Sequence, residues 1–202
     1  MTKVLVAYTT KFGSTSEVAA VIGEGLKGGG VAADVRLLSE IEDLGAYDAV
    51  VVGGPMIIGW HRAAVRFLKD NQVALSRKPV ALFMTAMALT KAGESRVQDV
   101  PVFQDPGAAR APKNPDRLGI HESFSTPSRY VGPVLKKVPA VRPVAVALFG
   151  GKLDYSKLNP LQLLFIKVAI RAKEGDLRNW EAIRSWTSDV APLLKTADRA
   201  PQ

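Results

Sequence analysis

Short apolar runs recur along the chain, and their spacing limits what it can fold into. Val4 to Tyr8, Val50-Val51-Val52, Val80-Ala81-Leu82-Phe83 and Val144 to Phe149 are apolar on consecutive residues, the pattern of a strand buried on both faces of a parallel sheet. Val31 to Leu38 reads as another strand. Between the runs lie helical periods: Val18, Val21, Ile22 and Leu26 mark one face, Ala64, Val65 and Leu68 a second, and Trp180, Ile183, Val190 and Leu194 a terminal one. The first of these helices has the Ser14-x-x-Glu17 capping signature at its start and Gly28-Gly29-Gly30 at its end. Strands alternating with helices imply an α/β fold with a five-stranded, doubly wound parallel sheet. With 202 residues, 47% of them apolar, the chain suffices for one domain with a full core, residues 1–202.

Two segments exceed that plan. Residues 86–128 show little periodicity and are punctuated by Pro101, Pro106, Pro112, Pro115 and Pro127, so they read as an extended loop inserted after the fourth strand. Residues 159–173 read as an extra helix before the terminal one. Asn159 supplies an N-cap, Pro160 suits the first helical position, and the apolar residues that follow cover most of the circumference. Such a helix needs something to bury against.

Composition removes several classes of function. The chain has no cysteine, which excludes disulfides, iron–sulfur clusters and thiolate metal sites and favours a reducing compartment. No metal centre is expected. Met1 to Tyr8 carries one basic residue and too short an apolar run for a secretory signal, and no stretch reaches the ~20 apolar residues of a spanning helix. The expected location is therefore cytoplasmic. Net charge is +8, with 11 Lys/Arg against 10 Asp/Glu in residues 1–100 and 16 against 9 in residues 101–202. That asymmetry points to an anionic partner, either lipid headgroups or an acidic substrate. Nucleic acid is set aside, because aromatic and basic residues do not interleave as they do in single-strand binders.

The stretch Thr9-Thr10-Lys11-Phe12-Gly13-Ser14-Thr15 falls between the first strand and the first helix. In an open parallel sheet, ligands bind beyond the carboxyl ends of the strands. A helix start adds unpaired N–H groups and the positive end of a dipole. The hydroxyls of Thr9, Thr10, Ser14 and Thr15 can donate to phosphate oxygens, and Gly13 lets the backbone bend around an anion. A phosphate monoester suits this chemistry. This strand-to-helix loop has too few glycines for the dinucleotide fingerprint G-x-G-x-x-G, and the nucleotide loop G-x-x-x-x-G-K-[ST] is absent, which argues against a Rossmann dehydrogenase and a P-loop NTPase.

Thr10-x-x-Gly13-x-Thr15-x-x-x-Ala19, after an apolar strand ending in Tyr8, resembles the FMN phosphate loop of flavodoxins, with Ala7 smaller than the residue usual there. Gly53 to His61 resembles the second flavin loop, and Pro55, Met56, Ile57, Ile58, Gly59 and Trp60 are its candidate cofactor contacts. Two roles stand for Trp60, stacking on the isoalloxazine ring or anchoring in the core. After the fourth strand the resemblance brings Thr85, Ala86 and Met87 to the ring, where flavodoxins often offer an aromatic. Phe149 to Tyr155, the apolar helix, and Glu174-Gly175-Asp176-x-Arg178-x-Trp180-x-x-Ile183 are similar to the menaquinone-dependent protoporphyrinogen dehydrogenases and their flavodoxin-domain relatives. They add Gly150, Gly151 and Asp154 to the candidate contacts, with helix capping as the other role of Asp154 and Asp176.

What the resemblance implies is a flavodoxin-like sheet in strand order 2-1-3-4-5, FMN as cofactor, and electrons passing from a reduced small molecule through FMN to a quinone. A porphyrinogen is the candidate substrate. The alternative is a non-catalytic flavodoxin-type electron-transfer protein. No residue is assigned a catalytic role, since a flavin accepts hydride without a protein base; His61 and His121 read as structural or exposed. Arg62, Arg110, Lys113, Arg117 and Arg129 are candidate receivers of substrate carboxylates. Two partners stand for the helix at 159–173: the inner face of a membrane, as a peripheral contact, or a second copy in a homodimer. On that helix Lys167 and Arg171 fall nearly opposite Gln162 and Lys173, so the polar residues do not form one stripe.

Overall fold

The computed structural model describes residues 1–114, 116–170 and 173–195. In chain order its elements are β1 (Lys3–Tyr8), α1 (Ser14–Gly28), β2 (Ala32–Leu37), β3 (Ala49–Pro55), α2 (Arg62–Asp70), α3 (Gln72–Leu75) and β4 (Val80–Ala86). The inserted segment supplies β5 (Leu89–Thr90), β6 (Arg96–Val97), β7 (Val100–Gln104), β8 (Ala109–Arg110) and α4 (Ile120–Ser123). The chain then continues through α5 (Pro127–Lys137), β9 (Ala145–Gly150), β10 (Lys152–Leu153), α6 (Pro160–Phe165), β11 (Gly175–Asp176) and α7 (Trp180–Lys195).

Strands β2-β1-β3-β4-β9 lie side by side and parallel, in the order 2-1-3-4-5 expected from the resemblance. Alternate residues of a strand point to opposite faces, so each continuous apolar run feeds two cores at once. On one face Leu5, Val50, Val52, Leu82, Met84 and Leu148 pack with Leu68 of α2 and Val131 of α5. On the other, Val4, Val6, Val51, Phe83 and Phe149 pack with Ile22 and Leu26 of α1 and Ile183 and Trp186 of α7. The Phe149 and Trp186 rings meet edge to face, 5.6 Å between centroids, a preferred aromatic geometry.

The segment at 86–128 is more ordered than the sequence suggests. Strand β7 widens the sheet by pairing parallel with β9, Val102 opposite Val146, and β6 pairs antiparallel beyond it. The turn between β6 and β7 holds Gln98 and Asp99 at φ 49° and 66°. Two-residue hairpin turns with positive φ favour Asn-Gly or Asp-Gly, so Gln-Asp gives no turn signal, and strands this short give too few positions for a period to show. Fully buried Asp105 ties the segment to the frame. Its Oδ1 accepts from the Gly107 N–H (2.9 Å) and the Asn179 amide (3.2 Å), and its Oδ2 from the Gly150 N–H (3.3 Å).

The extra helix starts where the sequence places it. Asn159 Oδ1 accepts from the Gln162 N–H at 2.8 Å, and Gln162 Oε1 accepts from the Asn159 N–H at 3.2 Å, a reciprocal cap. After Phe165 the helix widens into a π turn over Ile166–Ile170; Arg171, read as a polar position of this helix, lies outside the described residues. Leu161, Leu164, Phe165 and Val168 are 76, 59, 44 and 64% exposed, while Ile166 turns into the protein. Among the described residues no helix is long and apolar enough to cross a membrane.

Candidate functional site

Parallel strands deliver their carboxyl ends to one edge of the sheet, so Tyr8, Pro55, Ala86 and Gly150 end on the same side as the starts of α1, α2 and α7. The loops carrying the sequence candidates therefore share that edge. In the first loop, Thr9 N–H donates to the Gly53 carbonyl (3.0 Å), and Thr10 Oγ1 accepts from the Gly13 N–H (3.0 Å). Gly13 sits at φ 90° as the residue before α1, a left-handed conformation that a side chain would strain. The Thr15 hydroxyl is fully buried and shares a hydrogen bond with Thr85 Oγ1 at 3.1 Å, which joins this loop to the end of β4. Among the described residues no protein acceptor reaches the N–H of Ser14 or of Thr15.

The cap expected from Ser14 and Glu17 does not form. Gly13 is the N-cap, without a side-chain hydrogen bond, and Glu17 Oε2 lies instead 2.9 Å from Arg178 Nη1. The Arg178 side chain is 5% exposed. Its Nε and Nη2 fork onto Asp176 at 2.8 and 2.6 Å, and its guanidinium lies 4.6 Å from the centroid of the Trp180 ring. Among the described residues Nη1 makes no aligned hydrogen bond; its contact with Glu17 is close but not directional. The bond from Arg178 holds the Asp176 carboxyl below its ordinary value, against a smaller opposing effect of burial. The same bond raises the Arg178 guanidinium.

The second loop begins as β3 leaves the sheet, with the Met56 N–H donating to the Thr85 carbonyl at 2.8 Å. Trp60 is 6% exposed, and its Nε1 donates to the Gly54 carbonyl at 3.1 Å. The ring is part of the core cluster on this face of the sheet. Gly59 turns the loop at φ 84°. Met56 and Ile57 are half-buried, and Ile58 is 76% exposed. His61 Nδ1 accepts from the Ala63 N–H (3.3 Å) at the start of α2; burial, and then the Lys11 ammonium, hold its imidazole below the ordinary value. His121 is exposed on α4.

In the third loop Thr85 and Ala86 are buried and Met87 half-buried. The Tyr130 hydroxyl donates to the Ala88 carbonyl (2.8 Å), and the Thr90 and Ser125 hydroxyls meet at 2.9 Å. Those contacts seat α4 against the loop and bring exposed Ile120 and Phe124 to the same edge, with the Arg129 guanidinium 5.4 Å above the Phe124 ring. Sequence reasoning missed Ile120 and Phe124, because only the pairing of residues 35 apart brings them there.

The fourth group of candidates, Gly150, Gly151 and Asp154, is tied closely into the frame. The Gly151 N–H donates to the Ala86 carbonyl (2.8 Å), and its own carbonyl accepts from Leu177 (2.9 Å). A Cβ on Gly150 would stand 1.9 Å from the Leu177 carbonyl oxygen. Asp154 caps the turn at Tyr155–Lys157 by accepting from the hydroxyl and N–H of Ser156 (2.6 and 3.0 Å), which lowers its carboxyl. Arg62, Arg110, Lys113, Arg117 and Arg129 are all exposed.

A family model described as Flavodoxin domain matches residues 5–178. Protoporphyrinogen IX dehydrogenase (quinone) of Escherichia coli K12 is 28% identical to the chain, across 95% of it and 96% of that protein. Among solved structures, a flavodoxin from the domain Archaea superimposes with TM-score 0.50 and 14% identity, over 96% of this chain and 99% of its own. Rubredoxin oxygen:oxidoreductase of Desulfovibrio gigas does so with TM-score 0.52 and 13% identity, over 98% of this chain. This chain spans 37% of that longer protein. At such identities the structural likeness speaks for the fold.

Proposed function

Because the chain belongs to the flavodoxin domain family, we propose that it is an FMN-dependent oxidoreductase. It draws electrons from a reduced small molecule, a porphyrinogen being the candidate, and passes them to a quinone. The observation that carries this reading is the start of α1, where the N–H groups of Ser14 and Thr15 have no protein acceptor among the described residues, beside the left-handed turn at Gly13. Unmet amides at the positive end of a helix suit a phosphate. Thr9, Thr10 and Ser14 add hydroxyl donors, and Lys11 and Phe12 form the outer wall of the loop, the ammonium 5.6 Å from the ring centroid.

A bound flavin supplies hydride and single-electron chemistry at its ring. The chain's own residues bind and orient it. Pro55, Met56, Ile57, Ile58 and Gly59 form one side of the ring seat, and Thr85, Ala86 and Met87 the other. Trp60 fixes the first of these loops from within the core, and Gly150 and Gly151 brace the second from behind. Asp154 holds the turn at the outer end of this brace. Exposed Ile58, Ile120 and Phe124 border the seat with apolar surface, and Arg62 and Arg129 begin the neighbouring helices α2 and α5. Apolar contact flanked by guanidinium groups suits a macrocycle carrying carboxylates. The Escherichia coli relative is named for a porphyrinogen and a quinone, and its match over 95% of the chain supports both.

Quinones with long apolar tails reside in membranes, and for the extra helix we favour the membrane over a second copy. Leu161, Leu164, Phe165 and Val168 form its exposed apolar surface, with Lys157, Lys167 and Lys173 exposed around it. Each Lys near an anionic surface contributes about 1 kcal/mol.

The visible spectrum of the purified protein is the first test, with heat release of FMN rather than FAD. Anaerobic mixing with a porphyrinogen should bleach the flavin, and adding a quinone should restore its colour. Colourless protein that also ignores added FMN refutes the cofactor. FMN binding without quinone-dependent turnover refutes the enzyme and leaves an electron carrier.

A further inference from the structure

The Ser14-x-x-Glu17 pattern describes a helix that closes its own start: in a capping box the glutamate carboxylate returns to the backbone N–H three residues before it, here that of Ser14. Here it does not return. Glu17 is drawn to Arg178 at 2.9 Å, and the Ser14 and Thr15 amides stay open. Arg178 is firmly held for this. Asp176 takes two of its nitrogens, Trp180 lies beside it, and its side chain is 5% exposed. Asp176 is in turn carried on β11, which pairs with β10, and the next residue, Leu177, bonds to Gly151. The guanidinium therefore stands on a strap fixed to the sheet.

Two features of this arrangement are unfavourable taken alone. A buried guanidinium needs acceptors for all its N–H groups, and Nη1 lacks an aligned one. A cation beside the starts of α1 and α7 also opposes both helix dipoles. An anion arriving at the start of α1 would relieve the second. A glutamate already capping that start would keep the anion out.

We propose that Arg178 is the positioning residue that keeps the start of α1 open for a phosphate, and so sets the preference of the site for phosphorylated over unphosphorylated flavin. By holding the Glu17 carboxylate toward β11, it stops that carboxylate from capping the Ser14 amide and moves a like charge away from the anion. This rests on the FMN reading given above.

The test compares dissociation constants of FMN and riboflavin, followed by quenching of flavin fluorescence on the full-length protein freed of flavin. Riboflavin lacks the phosphate, so it reports the ring seat alone. Arg178→Gln should weaken FMN about tenfold and riboflavin less than about twofold, since a freed carboxylate competes only at the phosphate end. Glu17→Ala in that background leaves no side-chain acceptor to cap the start and should restore FMN binding. Should Arg178→Gln fail to fold, Arg178→Lys keeps the charge without the fork, and a smaller loss confined to FMN is expected. FMN and riboflavin falling together, or no recovery in the double variant, would make Arg178 a brace of the strap and overturn the proposal. Wild-type protein that binds neither flavin overturns the FMN reading itself, before any variant is made.

Discussion

Asp105 is the joint between the inserted segment and the sheet, and Asp105→Ala isolates it. The carboxylate is 0% exposed and receives the N–H groups of Gly107 and Gly150 and the amide of Asn179 at 2.9, 3.3 and 3.2 Å. A hydrogen bond to a charged group contributes about 1.5–3 kcal/mol, and a buried donor left unmet costs about 1–3 kcal/mol. Gly107 is exposed and Asn179 half-buried, so water takes over at those two. The Gly150 N–H faces the interior and stays unmet. Against this, alanine no longer buries a charge, which returns part of the desolvation cost. The net expectation is a loss of about 3 kcal/mol, or roughly 6–12 °C in melting midpoint for a chain of this size. Urea unfolding followed by tryptophan fluorescence and by far-ultraviolet circular dichroism measures it. One transition should move to lower urea at an unchanged slope in both signals, because residues 1–202 are expected to unfold as one domain. A loss under about 1 kcal/mol, or a separate early transition that leaves the sheet untouched, refutes the view that this carboxylate couples the segment to the frame.

Three further outcomes are expected. Thr10→Ala combined with Thr15→Ala removes the acceptor of the Gly13 N–H and the partner of the Thr85 hydroxyl. FMN affinity should fall at least about tenfold, with a stability loss of about 1–2 kcal/mol; unchanged affinity in a flavin titration would count against the phosphate seat. Leu161→Ser, Leu164→Ser and Val168→Ser together change exposed positions and should cost less than about 1 kcal/mol of stability. Cosedimentation with anionic vesicles at low salt should disappear, whereas loss of a sedimenting dimer instead would favour the second copy. Because Arg178 holds the Asp176 carboxyl below its ordinary value, the stability it adds is fully present above an unfolded value of about 4. That stability is lost as pH falls through the lower folded value. Asp176→Asn should therefore flatten the acid limb of stability against pH, and an identical limb in both proteins would show that the pair adds nothing.

Much of the frame was legible in the chain. The runs at Val4, Val50, Val80 and Val144 became the central parallel strands, and α1 ends at the glycines that follow Lys27. Strand β7 was not legible, because its partner Val146 lies 44 residues from Val102 and its turn carries Gln98-Asp99 in place of a glycine pair. Trp60 was legible as an important ring, whereas its bond to the Gly54 carbonyl was not, because that bond exists only once the loop after β3 has folded back. The capping signature at Ser14 named the right residues and the wrong bond.

The sequence by itself determined the succession of strands and helices and the strand-to-helix junction at Gly13 where the proposed phosphate would sit. Both follow from local properties, the two-residue and 3.6-residue periods and a glycine at a strand-to-helix junction. Only the tertiary structure decided which donors at that junction stay open. A carboxylate bonds to whichever cation the fold brings within about 3 Å, and the one that reaches Glu17 is carried on a distant strap behind β9.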